Sequence, residues 1–194
     1  MTTVYTPQVA LNTNDANNNT NFRTFVQLGA NSNGQIRVTF SASTTTNLTL
    51  VGASFGKWDG LALSSVAGDM TTPAFRLTFS SANGATVPSG TTLASDFITH
   101  TGLALSAGDW LIVAWDNSSP AGELLSTGNT TATTMFVANN TDFSQAQTVS
   151  STGVGWSVIG QPGTSSTNYV ISLVETNSPP PPPPDVIGLA ECEW

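Results

Sequence analysis

The sequence predicts an all-β fold, an antiparallel β-sandwich of the jelly-roll kind, and three observations carry that prediction. Apolar and polar residues alternate with period two in several short runs, as half-buried strands require because successive side chains point to opposite faces. Clusters of Gly, Asn, Ser and Pro separate those runs at short intervals. The 30 Thr, 22 Ser and 16 Asn of the 194 residues favour pleated surfaces and turns over helices. No stretch before Ser178 shows a helical period.

The first alternating run is 22–28 (FRTFVQL). The run 35–41 (QIRVTFS) sets Ile36, Val38 and Phe40 on one face and Arg37, Thr39 and Ser41 on the other. Residues 47–55 and 61–66 follow, and 75–80 repeats the alternation with Phe75, Leu77 and Phe79 inward. Further strands are expected over 91–99, 110–116, 133–138, 154–159 and 168–175. The run Trp110 to Trp115 is apolar on both faces, which suits a central strand covered on both sides. Turns are expected at Ser32-Asn33-Gly34, Ala82-Asn83-Gly84, Ser89-Gly90, Ala107-Gly108-Asp109 and Gln161-Pro162-Gly163. Residues 12–21 (NTNDANNNTN) read as a surface loop too polar to pack. Nine or ten short strands with such spacing fit an eight-stranded jelly roll with one or two additional strands.

A boundary falls near Ser178, so residues 1–178 form the sandwich body. Residues 179–184 are six consecutive prolines, which favour polyproline II and make a semi-rigid spacer of roughly 19 Å. Residues 185–194 (DVIGLAECEW) mix apolar and acidic side chains and are too few to bury a core of their own. Val186, Ile187, Leu189 and Trp194 are therefore the candidate partner-binding residues, in a linear peptide able to add a strand or fill a groove on another protein. Cys192 is expected at that interface rather than in redox chemistry.

Charge narrows the partners. Arg23, Arg37, Lys57 and Arg76 face twelve acidic residues, for a net charge of −8. Neither nucleic acid nor an anionic membrane is an expected partner, since both demand clustered Lys and Arg. No apolar run approaches the ~18 residues of a membrane helix. The first residues carry neither the basic nor the apolar segment of a secretory signal, so none is expected. The five Asn-x-Ser/Thr triplets, at Asn18, Asn47, Asn117, Asn129 and Asn139, then read as by-products of the composition.

Catalytic chemistry finds little material. A single Cys and a single His rule out an internal disulfide and multi-Cys or His-pair metal sites. His100, in DFITHTG, reads as a solvated or locally hydrogen-bonded histidine at a strand end or turn rather than a catalytic base. Paired carboxylates could serve a glycosidase, and the candidates are Asp59, Asp69, Asp96, Asp109, Asp116, Glu123 and Asp142. Most sit beside Gly, Asn or Ser in expected turns, where Asp bonds its own backbone. The group Asp116-Asn117-Ser118-Ser119 offers oxygen ligands but lacks the spacing of a calcium loop. No catalytic residue, cofactor or metal site is assigned. Among five tryptophans, Trp110, Trp115 and Trp156 read as core. Trp58, in GKWDG, reads as a turn residue that could present its ring to a sugar.

The stretch from Ile36 to Trp115, with IRVTFSAS, NLTLVGASFGKWDG, PAFRLTFSSANGATVPSGTTLASD and LALSAGDWLIVAWD, resembles the β-sandwich accessory domains found beside SGNH/GDSL-type hydrolases and in bacteriophage head and tail surface proteins. The match spans roughly 80 residues of pattern rather than signature, and the hydrolase's own motifs are missing. The resemblance implies a binding or structural module with no enzymatic activity. The expected role is a virion protein on the capsid surface, a decoration, cement or head-fibre subunit. It would be held by contacts with the major capsid protein or other virion subunits, and self-associated, with a trimer as one arrangement. The alternatives are a carbohydrate-binding module reading host surface glycans through Trp58, or a tail-associated adhesion protein.

Overall fold

A computed structural model describes residues 1–8, 10–16, 21–32, 34–58, 60, 70, 74–117, 123–129, 132–137, 157–159 and 166–177. Among these residues the fold is all-β. In chain order the strands are β1 (Thr2–Tyr5), β2 (Thr13–Ala16), β3 (Asn21–Gln27), β4 (Gln35–Ser41) and β5 (Leu48–Lys57). Then come β6 (Phe75–Leu77), β7 (Ala85–Val87), β8 (Thr92–Ala94), β9 (Ile98–Thr99) and β10 (Trp110–Asn117). The last are β11 (Glu123–Asn129), β12 (Ala132–Val137), β13 (Ser157–Ile159), β14 (Ser166–Tyr169) and β15 (Ile171–Asn177).

The strands form an antiparallel β-sandwich. One sheet runs β1-β15-β4-β8, with β9 also on β4. The second runs β13-β12-β3-β10-β5-β6, with β7 also on β5, and a small third sheet runs β14-β11-β2. Strand β10 lies at the centre of the second sheet, paired with β3 from Trp110↔Gln27 to Asp116↔Asn21 and with β5 from Leu111↔Lys57.

Alternation decides which side chains meet. Phe22, Val26, Leu111, Val113, Trp115 and Phe55 face the first sheet and pack with Ile36, Val38, Phe40 and Val174 in the main core. Phe22 and Trp115 stack at 4.0 Å and 7° across the β3–β10 pair, and the Trp115 indole N–H donates to Thr24 Oγ1 at 3.2 Å. The opposite face of β10 is covered as well. Phe25, Ile112 and Ala114 pack there with Met70 and Ala74, flanked by the half-buried Trp58 and Trp110. Gly56 makes this second cover possible: a Cβ there would stand 2.8 Å from Met70 Sδ. Both apolar faces of the Trp110–Trp115 run are thus used, as the sequence indicated.

Other elements depart from the sequence reading. Residues 12–21 are not simply a loop. Thr13–Ala16 form β2 on the edge of β11, and the Asn14 side chain bonds Thr44 through Thr44 Oγ1 (2.7 Å) and Thr44 N–H (3.3 Å). Polarity does not prevent an edge strand whose partners are backbone and other polar groups. The expected strand 91–99 is split into β8 and β9 by Ser95–Phe97: Ser95 still bonds β4, but Asp96 is drawn away from it. The Ser95 N–H donates to Val38 O at 2.9 Å and the Asp96 N–H to Thr78 O at 2.7 Å. The expected strand 168–175 breaks at Val170, which has φ 54°. There the chain leaves the third sheet for the first, fixed by Val170 N–H to Leu125 O (2.9 Å) and Ser41 N–H to Val170 O (2.8 Å). A β-branched residue at positive φ is costly. Two anchoring hydrogen bonds and complete burial hold it there. Strands β1, β7 and β11 carry no alternation that marks them in the sequence. Residues 61–66, Trp156, the turn at 161–163, the prolines 179–184 and the peptide 185–194 lie outside the described residues.

The run 75–80 is strand only to Leu77, although Phe79 still packs inward. After it the chain makes a two-residue hairpin, closed by Phe79 N–H to Ala82 O (2.8 Å) and Ala82 N–H to Phe79 O (3.0 Å). Ser80 and Ser81 both have positive φ, 51° and 69°, the backbone of a type I′ turn, which Asn-Gly adopts with less strain. Replacing both (Ser80→Asn with Ser81→Gly) is expected to raise stability by about 0.5–1 kcal/mol. Thermal or urea unfolding checks this, and an unchanged or lowered midpoint would mean the serines are not strained.

Candidate functional site

His100 is the only histidine of the chain and is almost fully buried, 4 % exposed. It follows the two-residue β9, and its N–H donates to Gly34 O at 2.9 Å. The ring lies edge-on to Phe55 and Phe75, each at 6.3 Å. Nδ1 is 3.0 Å from Leu103 O; a carbonyl only accepts, so Nδ1 carries a proton. Nε2 is 2.7 Å from Ser32 Oγ, which in turn is 3.0 Å from Thr176 Oγ1. The Thr176 hydroxyl donates to Gln35 O at 2.8 Å. The result is a chain of polar groups from the 103 loop through the imidazole to β4 and β15.

A serine hydroxyl on a histidine nitrogen is the geometry of a nucleophile and its base. Here the serine also meets Thr176, and the imidazole is oriented by a backbone carbonyl. Neither the cavity bordered by Ser41 nor the one bordered by Gln27 reaches Ser32 or His100. The hydrogen bonds join residues 32, 100 and 176. Sequence reasoning left His100 either solvated or locally hydrogen-bonded; burial excludes the first, and the polar chain it joins was not legible, since Ser32 lies 68 positions from His100 and 144 from Thr176.

Asp96, Asp109, Glu123 and Glu175 also bond to the scaffold. Asp109 bonds Lys57 Nζ at 2.7 Å and the Ser106 N–H at 2.8 Å. Burial pushes its carboxyl upward, but those two partners outweigh it and hold it below the usual carboxylate range. Glu175 lies directly opposite Arg37 across β15 and β4 and bonds it at 2.6 Å, while the guanidinium sits 4.7 Å above the Phe97 ring. Glu123 accepts from Thr45 Oγ1. Asp116 and Asn117 end β10 as buried residues, while Ser118 and Ser119 lie outside the described residues, as do Asp59, Asp69 and Asp142. Among the described residues no three His, Cys, Asp or Glu side chains converge.

Trp58 is placed differently from the sequence expectation. Its N–H bonds Trp110 O at 2.9 Å and it bridges Met70, so it continues β5 rather than occupying a free turn. The ring is half-buried, edge-on to Phe25 at 6.2 Å and 89°. Its indole nitrogen is buried with no hydrogen-bond partner among the described residues. Pairing with β10 drew the ring onto the second cover and away from solvent.

A cavity of about 500 Å³ opens on the outer face of the first sheet, between β4, the 88–92 turn, residues 7–12 and β11. The four candidate docking residues Val186, Ile187, Leu189 and Trp194 lie outside the described residues. No protein-family model matches the chain, and no curated protein is similar to it.

Asp96 offers a direct test of how carboxylates are used. Its carboxylate accepts from the Thr78 hydroxyl (2.6 Å) and from the N–H groups of Ser80 (3.0 Å) and Ser81 (2.9 Å). The Thr78 bond, then the Ser81 N–H, lower its pKa, with the Ser80 N–H adding to them against slight desolvation. A lowered folded-state value means the stabilisation is complete above the unfolded value and is lost as pH falls through the folded one. The melting temperature should therefore drop between about pH 5 and pH 2 more in the wild type than in Asp96→Asn. Asp96→Asn should also melt lower at neutral pH. Parallel melting curves across pH would remove the carboxylate from this role.

Proposed function

We propose that this chain is a non-enzymatic structural protein of a bacteriophage virion, a capsid-surface decoration or head-fibre subunit held by protein–protein contacts. The observation that carries the reading is how the chemistry-bearing side chains are used. The histidine, its serine partner and the described carboxylates Asp96, Asp109, Glu123 and Glu175 are all bonded into the scaffold. A sandwich that commits these groups to its own rigidity is suited to presenting surfaces rather than to turnover.

Composition supports the same reading. Only 8 % of residues are charged, so subunit contacts can be made through hydroxyls and amides without desolvating charges. The resemblance of residues 36–115 to phage surface sandwiches agrees with it. In this reading the apolar residues of the terminal peptide, Val186, Ile187, Leu189 and Trp194, grip a neighbouring subunit at the end of the proline spacer.

Full-length protein and a version ending at Ser178 can be mixed with phage-containing lysate of the source culture and sedimented. The full-length chain is expected to pellet with particles or capsid subunits, and the shortened one to remain in the supernatant. A protein that stays monomeric and ignores particles in both forms would contradict the proposal.

A further inference from the structure

We propose that the cavity on the outer face of the first sheet binds an uncharged, hydroxyl-rich ligand of the size of a mono- or disaccharide. This site is independent of the virion role and of Trp58. Its volume of about 500 Å³ falls in the range of small-molecule sites, roughly 300–1,000 Å³.

The lining chooses the ligand class. Every lining side chain is neutral, so an ion entering would lose hydration with no countercharge to replace it. Leu11, Ala42 and Leu125 supply an aliphatic wall, suited to the C–H face of a sugar ring. Some of the polar groups around it are already committed. Thr91 Oγ1 donates to Pro88 O (2.7 Å), Ser172 Oγ to Thr39 O (3.3 Å), and Thr44 Oγ1 accepts from Asn14 (2.7 Å).

Others are not. The hydroxyls of Ser41 and Thr92 have no hydrogen-bond partner among the described residues, and neither does the amide nitrogen of Asn12. Ser41 and Thr92 are direct cross-strand neighbours on β4 and β8, and directly opposed residues on one face hold their Cβ atoms roughly 5 Å apart. Ser41 is only 5 % exposed. Its hydroxyl is nonetheless not among the buried atoms left without a partner, so it opens onto the cavity, where a ligand hydroxyl would replace water. Two adjacent hydroxyls, each able to donate and accept, match the vicinal hydroxyls of a sugar, with the Asn12 amide as a further donor at the rim.

The test is a titration of the full-length protein with glucose, galactose, N-acetylglucosamine and maltose, followed by amide chemical shifts. Glucuronate and glucose 6-phosphate serve as charged controls. Saturable shifts at Ser41, Ala42, Thr92 and Leu125 are expected with at least one neutral sugar and not with the charged ones. Ser41→Ala should weaken binding about fivefold or more, the worth of one hydrogen bond. Thr92→Trp, a change at an exposed position, should block the cavity and abolish the shifts. No saturable shift with any neutral sugar, equal binding of the charged controls, or full binding by both variants would overturn the proposal.

Discussion

Strand β10 imposes the constraint on which the rest of the structure depends. Its residues from Leu111 to Asn117 are all buried, so the strand must be covered on both faces and paired on both edges. Covering one face requires the first sheet, which brings Ile36, Val38, Phe40 and Val174 against Leu111, Val113 and Trp115. Covering the other requires Met70 and Ala74 to lie on Ile112 and Ala114. Gly56 permits that close approach. The hydrophobic effect rewards this arrangement in proportion to apolar area removed from water. It also explains why a protein so rich in Thr, Ser and Asn retains a core: its large apolar side chains are concentrated on a few strands.

Those strands were legible in the sequence for the same reason. Over 22–28, 35–41, 47–55 and 110–116 the alternation, or its absence on a doubly covered strand, reports burial directly, and the observed strands agree within about two residues. Legibility failed where hydrogen bonding rather than burial set the backbone. Asp96 captures two N–H groups of the Ser80–Ser81 turn, beyond the end of strand pairing at Leu77, although Phe79 continues the alternation inward. Val170 turns the chain between two sheets through backbone bonds that no local pattern announces. Strand β2 is polar, and its identity depends on pairing with β11 more than a hundred residues away.

The polar sites follow the same division. That His100 would bond locally was one of two readings open to the sequence, the other being a solvated ring that its burial excludes. That Ser32 and Thr176 would be its companions could not be read there, because the contacts arise only when β4 and β15 pair. Ser41 and Thr92 are a similar case. Each is an unremarkable hydroxyl in sequence, and only the β4–β8 register sets them side by side above the cavity. Trp58 illustrates the reverse error, since a turn-like local sequence was overridden by pairing with β10.

Amide hydrogen exchange on the full-length protein tests the central claim most directly, because protection maps local against global opening. If the doubly covered strand organises the fold, the amides of Leu111 to Trp115 and their neighbours at Phe25 and Phe55 exchange slowest, at a common rate set by global unfolding. Exchange at these positions as fast as in the edge strands Thr2–Tyr5 or Thr92–Ala94 would contradict it.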